Sequence, residues 1–206
     1  MSSIAIIGAS GHGKVVAAVA AANGYDLIEF YDDKWPKATQ VETYPIVGTV
    51  KDALSREVDY DHVAIGIGNS EIRASLQNKL SREFPALVHP SAVIGSNVKM
   101  DTGTIVMPGV IINSSASLGK GVIVNSAAVI EHDCYIGDFS HVCPNAVLAG
   151  GVYVGEYSWI GLGASVIQMI KIGSHATVGA GSVVIRDVKQ KQTVVGNPAT
   201  DINLIG

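Results

Sequence analysis

The sequence predicts two architectures in series: an N-terminal α/β unit with a parallel sheet, and a C-terminal all-β structure wound from short repeats. Three observations predict it. A β-rich segment runs straight into a glycine-rich turn and a helix. Strand and helix patterns then alternate to about residue 84. From Val88 onward every sixth residue is apolar. With 206 residues and 48% apolar content, the chain has room for both cores.

In order, "SIAIIG" reads as the first strand, Lys14 to Asn23 as a helix stopped by Gly24, and "LIEFYDD" as the second strand. "HVAIGIG" is a third strand, and "SEIRASLQNKLSREF" a helix that Ser70 would cap. Domain boundaries are expected at 1–84 and 85–206, the second including a C-terminal tail.

The second half is set by its repeat. Every sixth residue from Val88 to Val184, seventeen positions in unbroken register, is aliphatic or Met. Four residues after each marker, from Ala92 to Val188, comes a second series that is nearly all small or β-branched. Glycine often follows the marker, as at Gly95, Gly119, Gly137, Gly155, Gly161, Gly173 and Gly179. A large residue every six, followed by one free to take φ > 0, suits a chain that turns a corner every six residues and stacks coil on coil. So long a register argues against a β-sandwich. Such hexads resemble those of the left-handed parallel β-helix, three to a triangular coil, and the resemblance implies a homotrimer.

Composition narrows the function. A formal charge of −4 and no long Lys/Arg run argue against a nucleic-acid or anionic-membrane surface. Cys134 and Cys143 form neither a disulfide framework nor a Cys-x-x-Cys pair, so a reducing cytoplasm is expected. The apolar run "VVAAVAAA" is too short to span a bilayer, and no targeting segment is visible.

"GASGHGK" places Gly8, Gly11 and Gly13 between the first strand and helix, in a Rossmann-like position but at G-x-x-G-x-G spacing. Glycines let a phosphate approach the backbone while the helix N-terminus offers free N–H groups. A diphosphate fits this better than a dinucleotide. A tight turn without a ligand is the alternative reading. Asp32 and Asp33, at the end of the second strand, could accept hydrogen bonds from a ribose or base, or form a solvated acidic loop. "GIGNSEIR" opens on the same sheet edge, where Arg73 could reach a phosphate or be an ordinary surface arginine of the helix. In "VIEHDCYIGDFSHV" the hexad register puts Glu131 and His132 at a corner, Cys134 in the core and His141 on the outer surface. His132 is a general-base candidate flanked by carboxylates, with a surface-polar role as the alternative. No histidine pair has metal-ligand spacing, so no metal is expected.

Together "GASGHGK", "FYDD", the hexad array, "NSAAVIEHDCYIGDFSHV" and "VVGNPA" resemble the NeuD/PglD family of sugar O-/N-acetyltransferases, most closely its bacillosamine-pathway type. The resemblance spans essentially the whole chain. It implies transfer of acetyl from acetyl-CoA to the 4-amino group of a UDP-linked amino-dideoxy sugar. It also implies His132 as base, Asp133 as the carboxylate raising its basicity, with Glu131 as an alternative partner, and Asn125 near the active centre. Ser10, Gly11 and His12 match the substrate loop, Asp32 and Asp33 the nucleotide-base contact, and Gly68 a further substrate contact. His141, Leu162 and Ala180 match acetyl-CoA positions. Direct transfer at sites shared between subunits is expected, since no nucleophilic Ser or Cys is needed. A sugar O-acetyltransferase and a non-catalytic nucleotide-sugar-binding protein are the competing readings.

Overall fold

The structure, a computed structural model, describes residues 1–81 and 83–204. Its first half holds β1 (Ser3–Ile7), α1 (Gly11–Ala22), β2 (Leu27–Tyr31), β3 (Gln40–Val41), β4 (Tyr44–Gly48), α2 (Val50–Arg56), β5 (His62–Ile65) and α3 (Ser70–Gln77). The sheet order is β3-β4-β2-β1-β5, parallel except for the β3–β4 hairpin. Two details differ from the sequence expectation. Helix α1 starts at Gly11, three residues early, so half of the glycine motif is its first turn. Helix α3 is capped by Asn69, whose side chain accepts the Ile72 N–H at 2.9 Å, and ends at Gln77 rather than Phe84. Arg82, inside the longer helix expected there, lies outside the described residues, as do 205 and 206 of the expected tail.

From β6 (Leu87–Val88) to β22 (Val183–Val184) run seventeen two-residue strands at six-residue intervals. From β6 through Ser165–Val166 each pairs in parallel with the strand eighteen residues on, giving a three-sided parallel β-helix. All seventeen markers are the second residue of their strand, and from Val106 onward they are buried. The second series is buried as well from Thr104 onward. Three of its polar members share one recurring bond. Thr104, Ser140 and Ser158 each donate to the carbonyl fifteen residues ahead, on Gly119, Gly155 and Gly173, at 2.8 Å. The last coil slips, with Thr177 facing Thr193, and β23 (Thr193–Val195) closes the end with the antiparallel β24 (Thr200–Asp201).

The glycines after the markers need correction. Left-handed backbone falls three residues after a marker instead, at Gly109, Ser115, Asp133, Phe139 and their equivalents. The glycines after markers are required by stacking. A Cβ on Gly95 would stand 2.7 Å from the Ser114 nitrogen, and one on Gly161 2.6 Å from that of Ala180, in the next coil.

The first residue of each strand points outward. In the sheet carrying Ile105, Ile123, His141, Trp159 and Thr177, the first three are nevertheless buried. The α/β half covers them. One apolar core therefore runs from the α1 side of the parallel sheet into the β-helix interior, while a second packs the sheet's other face.

Candidate active site

Three glycines of the two sheet-edge loops are fixed by packing. Gly8 has φ +105°, a Cβ on Gly13 would strike the Gly8 carbonyl, and one on Gly66 would lie 2.7 Å from Gly13 Cα. Gly11 and Gly68 differ. Neither has a positive φ, and nothing lies within 4 Å of where their Cβ would be. They leave open space beside the N-terminus of α1. There Ser10 is exposed, its hydroxyl caps nothing, and the first turn carries no acidic side chain. The free N–H groups and the positive dipole end face that space.

Asp32 and Asp33 brace this edge. Asp32 accepts from the backbone N–H groups of Ala9 at 2.8 Å and Lys34 at 3.0 Å, and Asp33 from Val50 at 3.0 Å. Both carboxylates lie at the sheet edge expected from the sequence, with backbone donors on them.

Arg73 is not free for a phosphate. It is 1% exposed, and its guanidinium donates to Ile67 and Gly68 in the β5–α3 loop and to Gly121 and Phe139 in the β-helix, at 2.6–3.1 Å. Burial lowers its pKa to about 10. Four carbonyls and no carboxylate hold it, so it joins the two halves.

His141 is 6% exposed, correcting its expected place on the surface. It does project out of the β-helix, but beneath the glycine loop. Its ring lies 6.1 Å from that of His12, and Trp159 meets it edge-on at 4.5 Å. Asn125 is 3.0 Å from its Nε2. Burial first, and the nearby Arg73 charge, lower the His12 pKa to about 4; burial, then His12 and Arg73, lower that of His141 to about 3. The unfolded chain protonates these rings near their ordinary value of about 6.5. Between those values the unfolded state binds more protons, so stability falls as pH drops below about 6.5, by about 1.4 kcal/mol per unit for each ring. A thermal midpoint several degrees lower at pH 5 than at pH 7 is expected. The His12→Asn,His141→Asn double variant should flatten that slope; an equally steep slope in the variant places its cause elsewhere.

Asn125, His141, Leu162 and Ala180 line one open cleft of about 390 Å3, together with Cys143 and Trp159. The sequence singled out the first four and missed the last two. The signal was the 18-residue period, which stacks Cys143 one coil above Asn125 and Trp159 one coil above His141. Burial raises the Cys143 thiol to about 12, so it is no nucleophile.

His132 stands apart, at the next corner. The sheet face carrying Val93, Ile111, Val129 and Val147 separates it from the cleft. Its Nδ1 pairs with Asp133 Oδ2 at 2.7 Å; no bond joins it to Glu131. Asp133 takes φ 59°, a left-handed turn that Asp tolerates well, and this aims the carboxylate back at the ring. One coil above, Gly150 makes room: a Cβ there would meet His132 Nε2 at 2.6 Å. Among the described residues, no three His, Cys, Asp or Glu side chains converge as a metal site. No helix among them is long and apolar enough to cross a membrane.

The sequence matches the family model of the PglD N-terminal domain over residues 3–80. A search of curated proteins gives no match. Among solved structures, the acetyltransferase domain of PglB from Neisseria gonorrhoeae in complex with acetyl coenzyme A is 38% identical. That match covers 97% of this chain and 98% of that one, with a TM-score of 0.93. PerB from Caulobacter crescentus, in complex with CoA and GDP-perosamine, is 35% identical over 98% and 97% of the two chains, with a TM-score of 0.89. WeeI from Acinetobacter baumannii is 31% identical over 98% and 100%, with a TM-score of 0.89. The likeness spans both halves, the Rossmann-like unit and the left-handed parallel β-helix, and the chain belongs to the NeuD/PglD family of sugar acetyltransferases.

Proposed function

We propose that this protein transfers acetyl from acetyl-CoA to the 4-amino group of a UDP-linked amino-dideoxy sugar. One juxtaposition carries the reading. The open glycine edge at Gly11 and Gly68 and the cleft at Leu162 and Ala180 meet at the His12–His141 contact. A diphosphate at the first and a pantetheine arm along the second would bring acceptor and donor together. Ser10 and His12 would contact the acceptor, and Asp32 and Asp33 its base.

The amine nitrogen attacks the thioester carbonyl, and the C–N bond forms as His132 takes the amine proton. Asp133 orients the ring and stabilises its charged form. A backbone N–H holds the oxyanion until the C–S bond breaks and the CoA thiolate leaves, taking up a proton. Because His132 and the cleft occupy different corners of one chain, the complete site requires the His132 corner of a second copy. The exposed Val93, Ile111 and Val147 between those corners offer the apolar face such a copy would cover, and three copies close the ring.

The test is release of CoA thiol from acetyl-CoA against UDP-, GDP- and TDP-linked amino sugars. Fastest turnover with the UDP-linked 4-amino sugar is expected; no release with any amino sugar refutes the reading. A GDP-linked acceptor is the second reading, because the Caulobacter structure, 35% identical, holds GDP-perosamine. Gly68→Ala separates binding from folding. Its thermal midpoint should not fall, since its Cβ meets nothing, while the KM for the sugar nucleotide rises at least about tenfold from the methyl's intrusion on the ligand. An unchanged KM would remove the loop from the acceptor site.

A further inference from the structure

Another cavity, of about 220 Å3, opens at the junction of the two halves and shares no residue with the His141 cleft or the glycine loops. Its floor is apolar. Val63 and Ile65 of the edge strand β5, with Leu80 and Phe84, belong to the core on the sheet's second face or pack against it, and the cavity opens where that core meets the β-helix. The rim is polar, with hydrogen-bonding capacity to spare. Gln77 donates its amide nitrogen to the Thr102 carbonyl at 2.9 Å, while its Oε1 and the side chains of Asn78 and Ser81 have no hydrogen bond among the described residues. Charge is balanced. Among the described residues lining the cavity, the one ammonium, Lys120, and the one carboxylate, Glu83, pair with each other at 3.2 Å.

We propose that this cavity is a ligand site, separate from the acceptor and acetyl-CoA sites, for a neutral amphipathic small molecule. A flat apolar body would lie on Val63, Ile65, Leu80 and Phe84, and one polar group would hydrogen-bond the rim at Gln77, Asn78 or Ser81. The size suits it. An apolar cavity of about 150 Å3 holds one benzene ring, so this one has room for a body of roughly two fused rings. The charges select a neutral occupant. An anion has to displace Glu83 from Lys120 and then meets Asp138, whose Oδ1 accepts the Lys120 backbone N–H at 2.9 Å; a cation meets Lys120 itself. A second copy of the chain does not close the site. Thr102, Gly103 and Lys120 turn the β-helix corner between the sheets that carry Lys99 and Ile105, opposite the face of Val93, Ile111 and Val147.

Indole, a neutral two-ring molecule with one N–H donor, is the probe. Titrated into the whole chain with methyl-labelled Val, Ile and Leu, it should move the methyl resonances of Val63, Ile65 and Leu80 saturably, through the ring current of an aromatic body laid against them. The same shifts should appear with acetyl-CoA and UDP present at saturation. Indole-3-acetate and tryptamine, which add a carboxylate and an ammonium, should each bind at least about fivefold more weakly. Asn78→Trp and Ser81→Trp place a ring at exposed rim positions, so both should fold with an unchanged thermal midpoint and lose the response to indole. No saturable shift at the three methyls overturns the site, as does displacement by acetyl-CoA or UDP, or a full response in both tryptophan variants. Equal affinity for the charged analogues overturns the neutral ligand class. None of these readouts depends on acetyl transfer, so the site stands or falls apart from the proposed reaction.

Discussion

His132→Ala should lower kcat at least about a hundredfold while leaving the assembly and its thermal midpoint intact. The side chain is well exposed and its one hydrogen bond goes to Asp133, also exposed, so folding loses little by its removal. Catalysis loses the group that would take the amine proton. Asp133→Asn refines the test, because Asn also tolerates the φ 59° turn but carries no charge. It should cost less than His132→Ala, since the ring stays in place and loses only the carboxylate that orients it. Near-normal turnover in His132→Ala would transfer the base to another group.

The β-helix was legible because its signal is a strict period: a two-residue strand turns only its second side chain into the β-helix interior, and all seventeen markers at that position are apolar. The part played by Gly95 or Gly161 was not. A glycine required for φ and one required for a close coil look alike in sequence, and only the stacking at Ser114 and Ala180 distinguishes them. Residues 40–56 have no strong period, yet hold β3, β4 and α2. The local signal was there in Thr49 and Asp52, which form a reciprocal capping box at the start of α2. Sequence reasoning gathered Asn125, His141, Leu162 and Ala180, which do share a cleft. It placed His141 in solvent because register within the β-helix says nothing of what folds over it. Arg73 was misread for the same reason, since two of its four acceptors lie forty-eight and sixty-six residues away.

Arg73→Met should be the most damaging single change to stability, at least about 3 kcal/mol, the range for breaking a buried, hydrogen-bonded charge. Methionine fills much of the volume and spares the cost of burying a guanidinium, so packing alone would predict a small effect. The carbonyls decide otherwise. Those of Ile67, Gly68, Gly121 and Phe139 lose charge-assisted donors together, and each one left buried without a partner costs about 1–3 kcal/mol. Two belong to the acceptor loop and two to the β-helix, so the loss falls on the junction, not on either core. Faster amide exchange at residues 8–13 and 66–69 is expected, with the β-helix strands still protected. Arg73→Lys should fall between, because one ammonium cannot reproduce the planar fork that reaches both halves at once. An unchanged midpoint in Arg73→Met would mean that apolar contact alone docks the halves. The guanidinium would then have no structural reason to lie buried without a carboxylate, and its charge would have to serve the anionic acceptor instead.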